Sequence, residues 1–256
     1  MKIAALYDIH GNLPALNAVL KELQEIQPDL IVVGGDTISG PMPAQTLERL
    51  LEVGPQVRFI SGNADREVVE AYDGQPFKRQ YMPEISEKER EDNHWLARQL
   101  TRSQRDRLAE WPEQLVLQVE GMGSLLFCHA TPRNDEDLFT PLTSQERLRT
   151  LFAGVEQDFV VCGHTHIQFE LFVNRTRILN AGSVGMPYAD KTGAYWLLLG
   201  PQRYEWRRTE YDLEAAAQEI LATNHPQAEK FAQENVLQVK TGTGAAIFFE
   251  SIAIKD

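Results

Sequence analysis

The sequence predicts an α/β fold, and three observations carry that reading. Apolar, strand-like runs alternate with helix-like segments over the first 60 residues. The second half is a series of short β-prone runs separated by turn residues. The residues best suited to chemistry fall directly after apolar runs, where open α/β sheets bind their ligands.

Residues 2–7 read as a short buried strand. Leu13, Leu16, Leu20, Leu23 and Ile26 then recur near helical spacing, and Pro28 closes that helix. Residues 30–33 form a second buried strand that ends at Gly34-Gly35, residues 43–51 a helix, and residues 57–60 a third strand. This β-α-β-α-β rhythm implies parallel strands with helical crossovers. Residues 65–112 are polar, charged and helical. Ser86 and Glu89 are spaced as a capping box there, Trp95, Leu96 and Leu100 form the apolar stripe, and Pro112 is the stop.

From residue 115 the pattern turns to β. Residues 115–119 and 124–128 pair around Gly121-Met122-Gly123, and Thr143 with Glu146 caps a short helix. A strand over 159–162 follows, then 169–173 and 177–179 around Asn174-Arg175, and a hairpin of 194–199 and 204–208 around Gly200-Pro201. Antiparallel or mixed sheet is expected for this half. Asp212 starts a helix to Ala222, and 226–235 is helical too. After Thr241-Gly242-Thr243-Gly244, the apolar residues 245–254 are expected to form an added strand or a dimer contact. That Thr/Gly run lacks the lysine of a phosphate-binding loop.

A chain of 256 residues with 43% apolar content can bury a full core. One domain, 1–256, is expected, because candidate ligands from Asp8 to His166 must meet. It carries a helical insertion or cap at about 66–112 and a C-terminal extension at about 212–256. No apolar run reaches the roughly 18 residues that suggest a membrane span. A strand and a candidate ligand open the chain, and a cleaved leader would remove them, so a cytoplasmic protein is expected. The formal charge of −12 and pI ≈ 5.0 argue against stable nucleic-acid binding in a basic groove. They do not by themselves exclude a phosphorylated substrate, whose binding depends on the local charge of a site rather than on net charge. Cys128 and Cys162 each end an apolar strand and read as buried thiols rather than a disulfide or metal ligands.

Five motifs carry the chemistry: Asp8-Ile9-His10, Gly34-Gly35-Asp36, Gly62-Asn63-Ala64-Asp65, Cys128-His129 and Gly163-His164-Thr165-His166. Together they supply two carboxylates, an amide oxygen and four of the chain's six histidines, a donor set for two adjacent divalent metals. In an extended stretch, residues two apart point the same way, so Asp8/His10 and His164/His166 are each expected to present both side chains on one face. Hard carboxylates with imidazoles suit Mn²⁺, Fe, Zn²⁺ or Ni²⁺ better than Mg²⁺. The remaining histidines, His94 and His225, lie on helical segments and are expected at the surface. Asn12, Arg66 and Arg133 are candidate phosphate contacts, with salt bridges of Arg66 to Asp65 or Glu67 and of Arg133 to Asp135 as the alternative. Asn180, Gly182, Ser183 and Gly185 are expected to form a tight turn that supports the site.

These motifs, over residues 1–212 or so, resemble the calcineurin-like metallophosphoesterases. Their pattern is Asp-x-His, Gly-Asp, Gly-Asn-His-Asp/Glu, His and Gly-His-x-His. Asp8-Ile9-His10-Gly11-Asn12, Gly62-Asn63-Ala64-Asp65-Arg66 and Asn180-Ala181-Gly182-Ser183-Val184-Gly185 suit the small bacterial and archaeal phosphodiesterase branch. The resemblance implies a four-layer αββα sandwich of two mixed sheets flanked by helices. It implies two divalent metals, Mn²⁺ first among them: Asp8, His10 and His166 on one, Asn63, His129 and His164 on the other, and Asp36 on both. Asp36, Asn63 and His129 would take part in catalysis, and a hydroxide shared by the metals would attack phosphorus without a covalent phospho-enzyme. Where the family often has a histidine that protonates the leaving group, this chain has Ala64. General acid catalysis contributes about 10²- to 10⁴-fold, and its loss hurts poor leaving groups most. Phosphodiesters or phosphoanhydrides of small molecules, such as nucleotides, are therefore expected substrates. A protein serine/threonine phosphatase or phosphomonoesterase, and a non-catalytic scaffold on the same fold, are the alternatives; a homo-oligomer is possible on the apolar tail alone.

Overall fold

The computed structural model describes residues 1–201 and 203–254, and among these the strands form two five-stranded sheets. In the first sheet, β1 (Ile3–Leu6), β2 (Leu30–Gly34) and β3 (Val57–Ile60) are parallel. Their crossovers are α1 (Leu13–Ile26) and α2 (Pro43–Val53). The hairpin β9 (Ala194–Gly200) and β10 (Arg203–Thr209) completes this sheet antiparallel to β1, giving the order β10-β9-β1-β2-β3. The second sheet has the order β4-β5-β6-β8-β7, from β4 (Gln114–Val119), β5 (Gly123–Cys128), β6 (Phe159–Cys162), β7 (Gln168–Val173) and β8 (Thr176–Ala181). Here β5, β6 and β8 are parallel, and each outer strand is antiparallel to its neighbour.

The sheets meet face to face. Ile3, Ala5, Tyr7, Val32 and Ile60 of the first pack on Leu125, Phe127, Val161 and Leu179 of the second. The Tyr7 hydroxyl donates to the Val161 carbonyl at 2.9 Å and ties the layers together. On the outer face of the first sheet lies α1, whose Ala15, Leu16, Val19, Leu20 and Leu23 recur at helical spacing and are buried. Burial on both faces explains why β1 and β2 are apolar throughout rather than alternating. The outer face of the second sheet is covered by α6 (Gln145–Leu151) and by α9 (Gly242–Ile252), so the layers run helix, sheet, sheet, helix.

Four sequence expectations change here. The short helix after residue 143 is capped by Ser144, whose hydroxyl accepts from the Arg147 N–H. Thr143 instead donates to Glu250. Residues 245–254 are not a strand: Thr241 caps α9, and Ala245, Ala246 and Phe249 turn onto the second sheet. Their spacing of one and four is helical, and packing there outweighs the low helix propensity of Gly242 and Gly244. His225 is 7% exposed, not a surface residue; its Nε2 lies 3.3 Å from Asp92 and its ring meets the edge of Trp95. The segment at 66–112 is not wholly helical, because an irregular stretch separates α3 (Asn63–Tyr72) from α4 (Glu87–Gln99) and α5 (Arg102–Ala109). Ser86 and Glu89 do form the capping box of α4. The C-terminal extension continues with α7 (Leu213–Leu221), α8 (Ala228–Phe231) and a π-helical turn over Ala232–Leu237. Among the described residues, no helix is long and apolar enough to cross a membrane.

Candidate metal centre

All five motifs converge at one end of the two sheets, beyond the carboxyl ends of the strands they follow. Two buried groups result: Asp8, His10 and His166, and beside them Asp36, His129 and His164. Within each group the donor atoms lie within 4.8 Å of one another. The imidazoles of His164 and His166, two residues apart, are thus divided between the groups instead of sharing one. Asp8 Oδ1 is 3.2 Å from His166 Nε2 and 3.9 Å from His10 Nε2. Asp36 Oδ2 stands between the groups, 3.5 Å from His129 Nε2 and 3.9 Å from His10 Nε2. Asn63 Oδ1 is 3.2 Å from His129 Nε2. A cation about 2.1 Å from each donor holds neighbouring donors roughly 3.0–3.4 Å apart, so most of these spacings need little adjustment.

The backbone that aims these groups is not extended. Asp8, His10, Asp36, His164 and His166 have φ of 52°, 49°, 49°, 66° and 57°. Seven described non-glycine residues have positive φ, and five of them are these candidate ligands. The left-handed region costs a non-glycine residue on the order of 1–3 kcal/mol. The paired motifs therefore present their side chains from tight turns, and the extended geometry expected from the sequence is corrected. Neighbouring glycines let the turns close. A Cβ on Gly62 would stand 2.3 Å from Asp36 Oδ1, and one on Gly163 would stand 2.3 Å from Asp8 Oδ2.

Every imidazole has one nitrogen occupied and one free for the site. His10 Nδ1 meets Ser39 Oγ at 2.6 Å, His129 Nδ1 the Gly34 carbonyl at 2.9 Å, and His166 Nδ1 the Met186 carbonyl at 2.8 Å. His164 is turned over: its Nε2 meets the Glu136 carbonyl at 3.2 Å, which leaves Nδ1 facing the site. Partners of this kind fix the tautomer of metal-binding histidines. The carboxylates are divided in the same way. Asp8 Oδ2 accepts from the His164 N–H at 2.9 Å, and Asp36 Oδ1 from the Ala64 N–H at 2.8 Å.

What remains is an excess of acceptors. Asp8 Oδ1 is buried with no hydrogen-bond partner. His10 Nε2 and His166 Nε2 face each other at 3.1 Å. Asn63 presents its oxygen to acceptors only; reversed, its NH₂ would donate to His164 Nδ1 and His129 Nε2. A pocket lined by so many lone pairs fits cations, metal ions or protons on its imidazoles.

Protonation tells the same story. Burial and the neighbouring His166 push His10 down to about 4, and burial with His129 does the same for His164. Burial opposes a charge on His129, but Asp36 outweighs it and lifts His129 to about 10. Asp8 raises His166 in the same manner. Both carboxylates are correspondingly held below their ordinary range despite burial, Asp8 by His166 and Asp36 by His129. Without metal, two protons do part of the work of two cations.

The candidate substrate contacts fare differently. Asn12 is fully buried: its Oδ1 caps α1 through the Ala15 N–H and its Nδ2 donates to the Gly185 carbonyl. Both polar atoms of its side chain are engaged by the fold. Arg66 pairs with neither Asp65 nor Glu67; it donates to Asp135 at 2.9 Å, Glu136 at 2.7 Å and the Lys78 carbonyl at 2.6 Å. Arg133 grips both oxygens of Asp137, at 2.6 and 2.8 Å, and lies over the Tyr81 ring. The 180–186 segment is a support. Asn180 Nδ2 donates to the Gly163 carbonyl, and Ser183 Oγ donates to the Asp8 carbonyl while accepting from the Met186 N–H. Sequence reasoning missed Ser39, the carbonyls of Gly34, Glu136 and Met186, and Tyr188, which stacks on His166 at 5.3 Å. Backbone carbonyls leave no mark in a sequence; Ser39 had no signal either.

Fold and site together define a class, the metallophosphoesterases. Residues 1–199 match the calcineurin-like phosphoesterase superfamily domain, and the chain belongs to that superfamily. Over 99 residues it is 32% identical to phosphodiesterase YfcE of Escherichia coli K12, a match covering 35% of this chain and 54% of that protein. Over 133 residues it is 32% identical to a symmetrical bis(5'-nucleosyl)-tetraphosphatase of Yersinia pestis, covering 50% and 42% of the two chains. The chain thus spans about half the length of the curated relatives it matches. Among solved structures, a hypothetical protein of Pyrococcus horikoshii OT3 superposes with a TM-score of 0.77 at 20% identity, covering 94% of this chain and 99% of that one. A metallophosphoesterase of Sphaerobacter thermophilus gives 0.68 at 22% identity, covering 93% and 98%. These two likenesses establish the fold.

Proposed function

We propose that this protein is a dinuclear-metal phosphodiesterase of small substrates. Asp8, His10 and His166 would hold one divalent ion, Asn63, His129 and His164 the other, and Asp36 both. The observation that carries the reading is the buried convergence of metal-binding atoms in two adjacent groups, with Asp8 Oδ1 lacking a hydrogen-bond partner and His10 Nε2 facing His166 Nε2. Bound metals of this kind activate a water at neutral pH and offset charge on phosphoryl oxygens. Imidazoles with carboxylates favour Mn²⁺, Fe, Zn²⁺ or Ni²⁺, and Mn²⁺ is the first to supply.

The chain's own residues prepare that chemistry. Carbonyls and Ser39 hold the imidazole tautomers, and the left-handed turns hold the side chains before any ligand arrives. At position 64 only the backbone N–H serves, binding Asp36; no imidazole is offered to a leaving group. This supports good leaving groups: phosphodiesters and phosphoanhydrides over alkyl phosphomonoesters. The named activities of the curated relatives, on phosphodiesters and on a nucleoside polyphosphate, fall in the same class. The buried free thiols of Cys128 and Cys162 fit a reducing cytoplasm.

The test is hydrolysis of bis-p-nitrophenyl phosphate against p-nitrophenyl phosphate, with Mn²⁺ restored after chelation. Metal-dependent cleavage of the diester, clearly faster than the monoester, is expected. Equal rates would remove the Ala64 argument. No cleavage of either, with both sites metal-loaded by elemental analysis, would favour the scaffold reading.

A further inference from the structure

The family match ends at residue 199, yet the last helix of the chain reaches back to the metal centre. A Cβ on Gly242, the first residue of α9, would stand 3.3 Å from Ile167 Cγ2 and from the Tyr188 carbonyl oxygen. The helix is anchored there. Ala189 N–H donates to the Lys240 carbonyl at 2.9 Å, Glu250 accepts from the Thr140 and Thr143 hydroxyls, and Arg147 donates to the Ile254 carbonyl. Between α9, the 141–142 loop and the 188–195 loop lies a cavity of about 530 Å³, with the site's His166 in its wall.

Its lining is aromatic and apolar, with Gln168 and Thr243 as neutral polar groups and one charge of each sign, Asp190 and Lys191. Tyr188 stands beside His166, ring stacked on ring at an interplanar angle of 20°, and its N–H donates to the His166 carbonyl at 3.1 Å. Tyr195 is held by its hydroxyl on the Lys191 carbonyl at 2.8 Å. Leu142, 57% exposed, forms the opposite lip. Lys191 is exposed, and among the described residues its ammonium has no ion pair. The volume lies in the range of small-molecule sites, and such sites combine apolar walls with a few polar groups.

We propose that this cavity is the subsite for the organic group of the substrate, and that it selects a flat aromatic group, a nucleoside being the biological case. The inference rests on the phosphodiesterase reading, since a group seated here is attached to a phosphoryl group at the neighbouring metals. Flat rings suit the site because Tyr188 and Tyr195 are already fixed and lose no rotamer freedom on binding. A nucleoside matches the rings with its base, and Lys191, Asp190, Gln168 and Thr243 are the polar groups it would meet. α9, which lies beyond the residues matched to the family domain, thus supplies one wall of the cavity.

The test uses the full chain and two ligands, thymidine 5'-monophosphate and methyl phosphate. Their inhibition constants against diester hydrolysis are compared in the wild type, in Thr243→Trp and in Leu142→Trp. Both substitutions fill the cavity from exposed positions on opposite walls. The wild type is expected to prefer the nucleotide by about tenfold or more, the weight of one base stack. Both variants should lose that preference and keep the methyl phosphate constant. No preference in the wild type, or an unchanged preference in a folded variant, overturns the proposal. If no diester is hydrolysed, the phosphodiesterase reading fails separately. Calorimetric titration of the two ligands into the metal-free protein then decides the cavity by the same ratio.

Discussion

The strand-end loops and the helical flanks of this molecule are held in place by opposite means. In the loops, short turns carry five left-handed non-glycine residues, buried carboxylates, and one oxygen partner for each imidazole. In the flanks, largely buried arginines clasp carboxylates: Arg66 on Asp135 and Glu136, Arg79 on Glu67 and Glu89. The first arrangement carries backbone strain and a concentration of buried charge that cations, protons included, offset. The second holds segments together at modest cost and leaves room for them to differ. On the function proposed above, the loops carry the chemistry and the choice of substrate falls to the flanks.

The largest effect should follow from breaking the loop side of this division. Asp36→Asn removes the carboxylate that stands between the two groups, 3.5 Å from His129 and 3.9 Å from His10, and that is proposed to serve both metals. Loss of several kcal/mol of metal-based stabilisation corresponds to about a thousandfold in rate or more. Metal analysis should show at least one ion gone. Retention of both ions with near-normal turnover would mean that Asp36 is not the shared ligand.

A smaller effect is expected one step out. Ser39→Ala takes the hydroxyl from His10 Nδ1 but leaves the Ser39 carbonyl at 3.2 Å. Removing such a partner weakens metal binding by about 10- to 100-fold, and the retained carbonyl puts this case at the lower end. A Mn²⁺ titration against a competing chelator reads it; unchanged affinity would show that the carbonyl suffices.

Protons sharpen the comparison next. Metal needs neutral imidazole, but Asp36 holds the metal-free His129 at about 10 and Asp8 raises His166. Binding must release those protons, so metal affinity should rise with pH, by about tenfold per unit for each proton released. The metal-free fold has the opposite sign. His129 is raised above its unfolded value of about 6.5, so its contribution is complete below that pH and is lost as the pH climbs through about 10. Calorimetry in two buffers of different ionisation enthalpy counts the protons at pH 7. A count of zero would sink the argument.

How much of this was legible follows the same division. The ligands sit in contiguous motifs after apolar runs, so strand ends and side-chain chemistry could be read together. The left-handed turns could not, because Asp8 and His10 carry no turn signature of their own; tertiary contacts such as Tyr7 carbonyl to Val184 N–H and Asp8 carbonyl to Ser183 Oγ impose them. The α9 helix was misread because Ala245, Ile247 and Phe249 alternate like a strand when the sheet that buries Ala245, Ala246 and Phe249 together is unknown. His225 was misplaced because its partners, Asp92 and Trp95, lie more than a hundred residues away.

The smallest effect on chemistry, and the sharpest test of the division, belongs to Arg66. Its guanidinium joins α3 to Asp135 and Glu136, and the same Glu136 carboxylate accepts the Gln80 and Tyr81 N–H groups at 2.7 Å. Arg66 therefore fastens the irregular stretch before α4, while the Glu136 carbonyl, one bond system away, holds His164. Arg66→Ala leaves three carboxylates, Glu70, Asp135 and Glu136, without their cation, a loss of about 1–3 kcal/mol for hydrogen bonds to charged groups, or a few degrees in Tm per kcal/mol for a chain of this size. Arg66→Lys keeps the charge without the fork and should recover part of it. If the guanidinium is a clasp, kcat changes little, and KM rises only as far as the loosened stretch touches substrate. A fall in kcat comparable to that of Ser39→Ala would mean that Glu136 transmits the flank's state to His164, and that the flanks govern chemistry as well as choice.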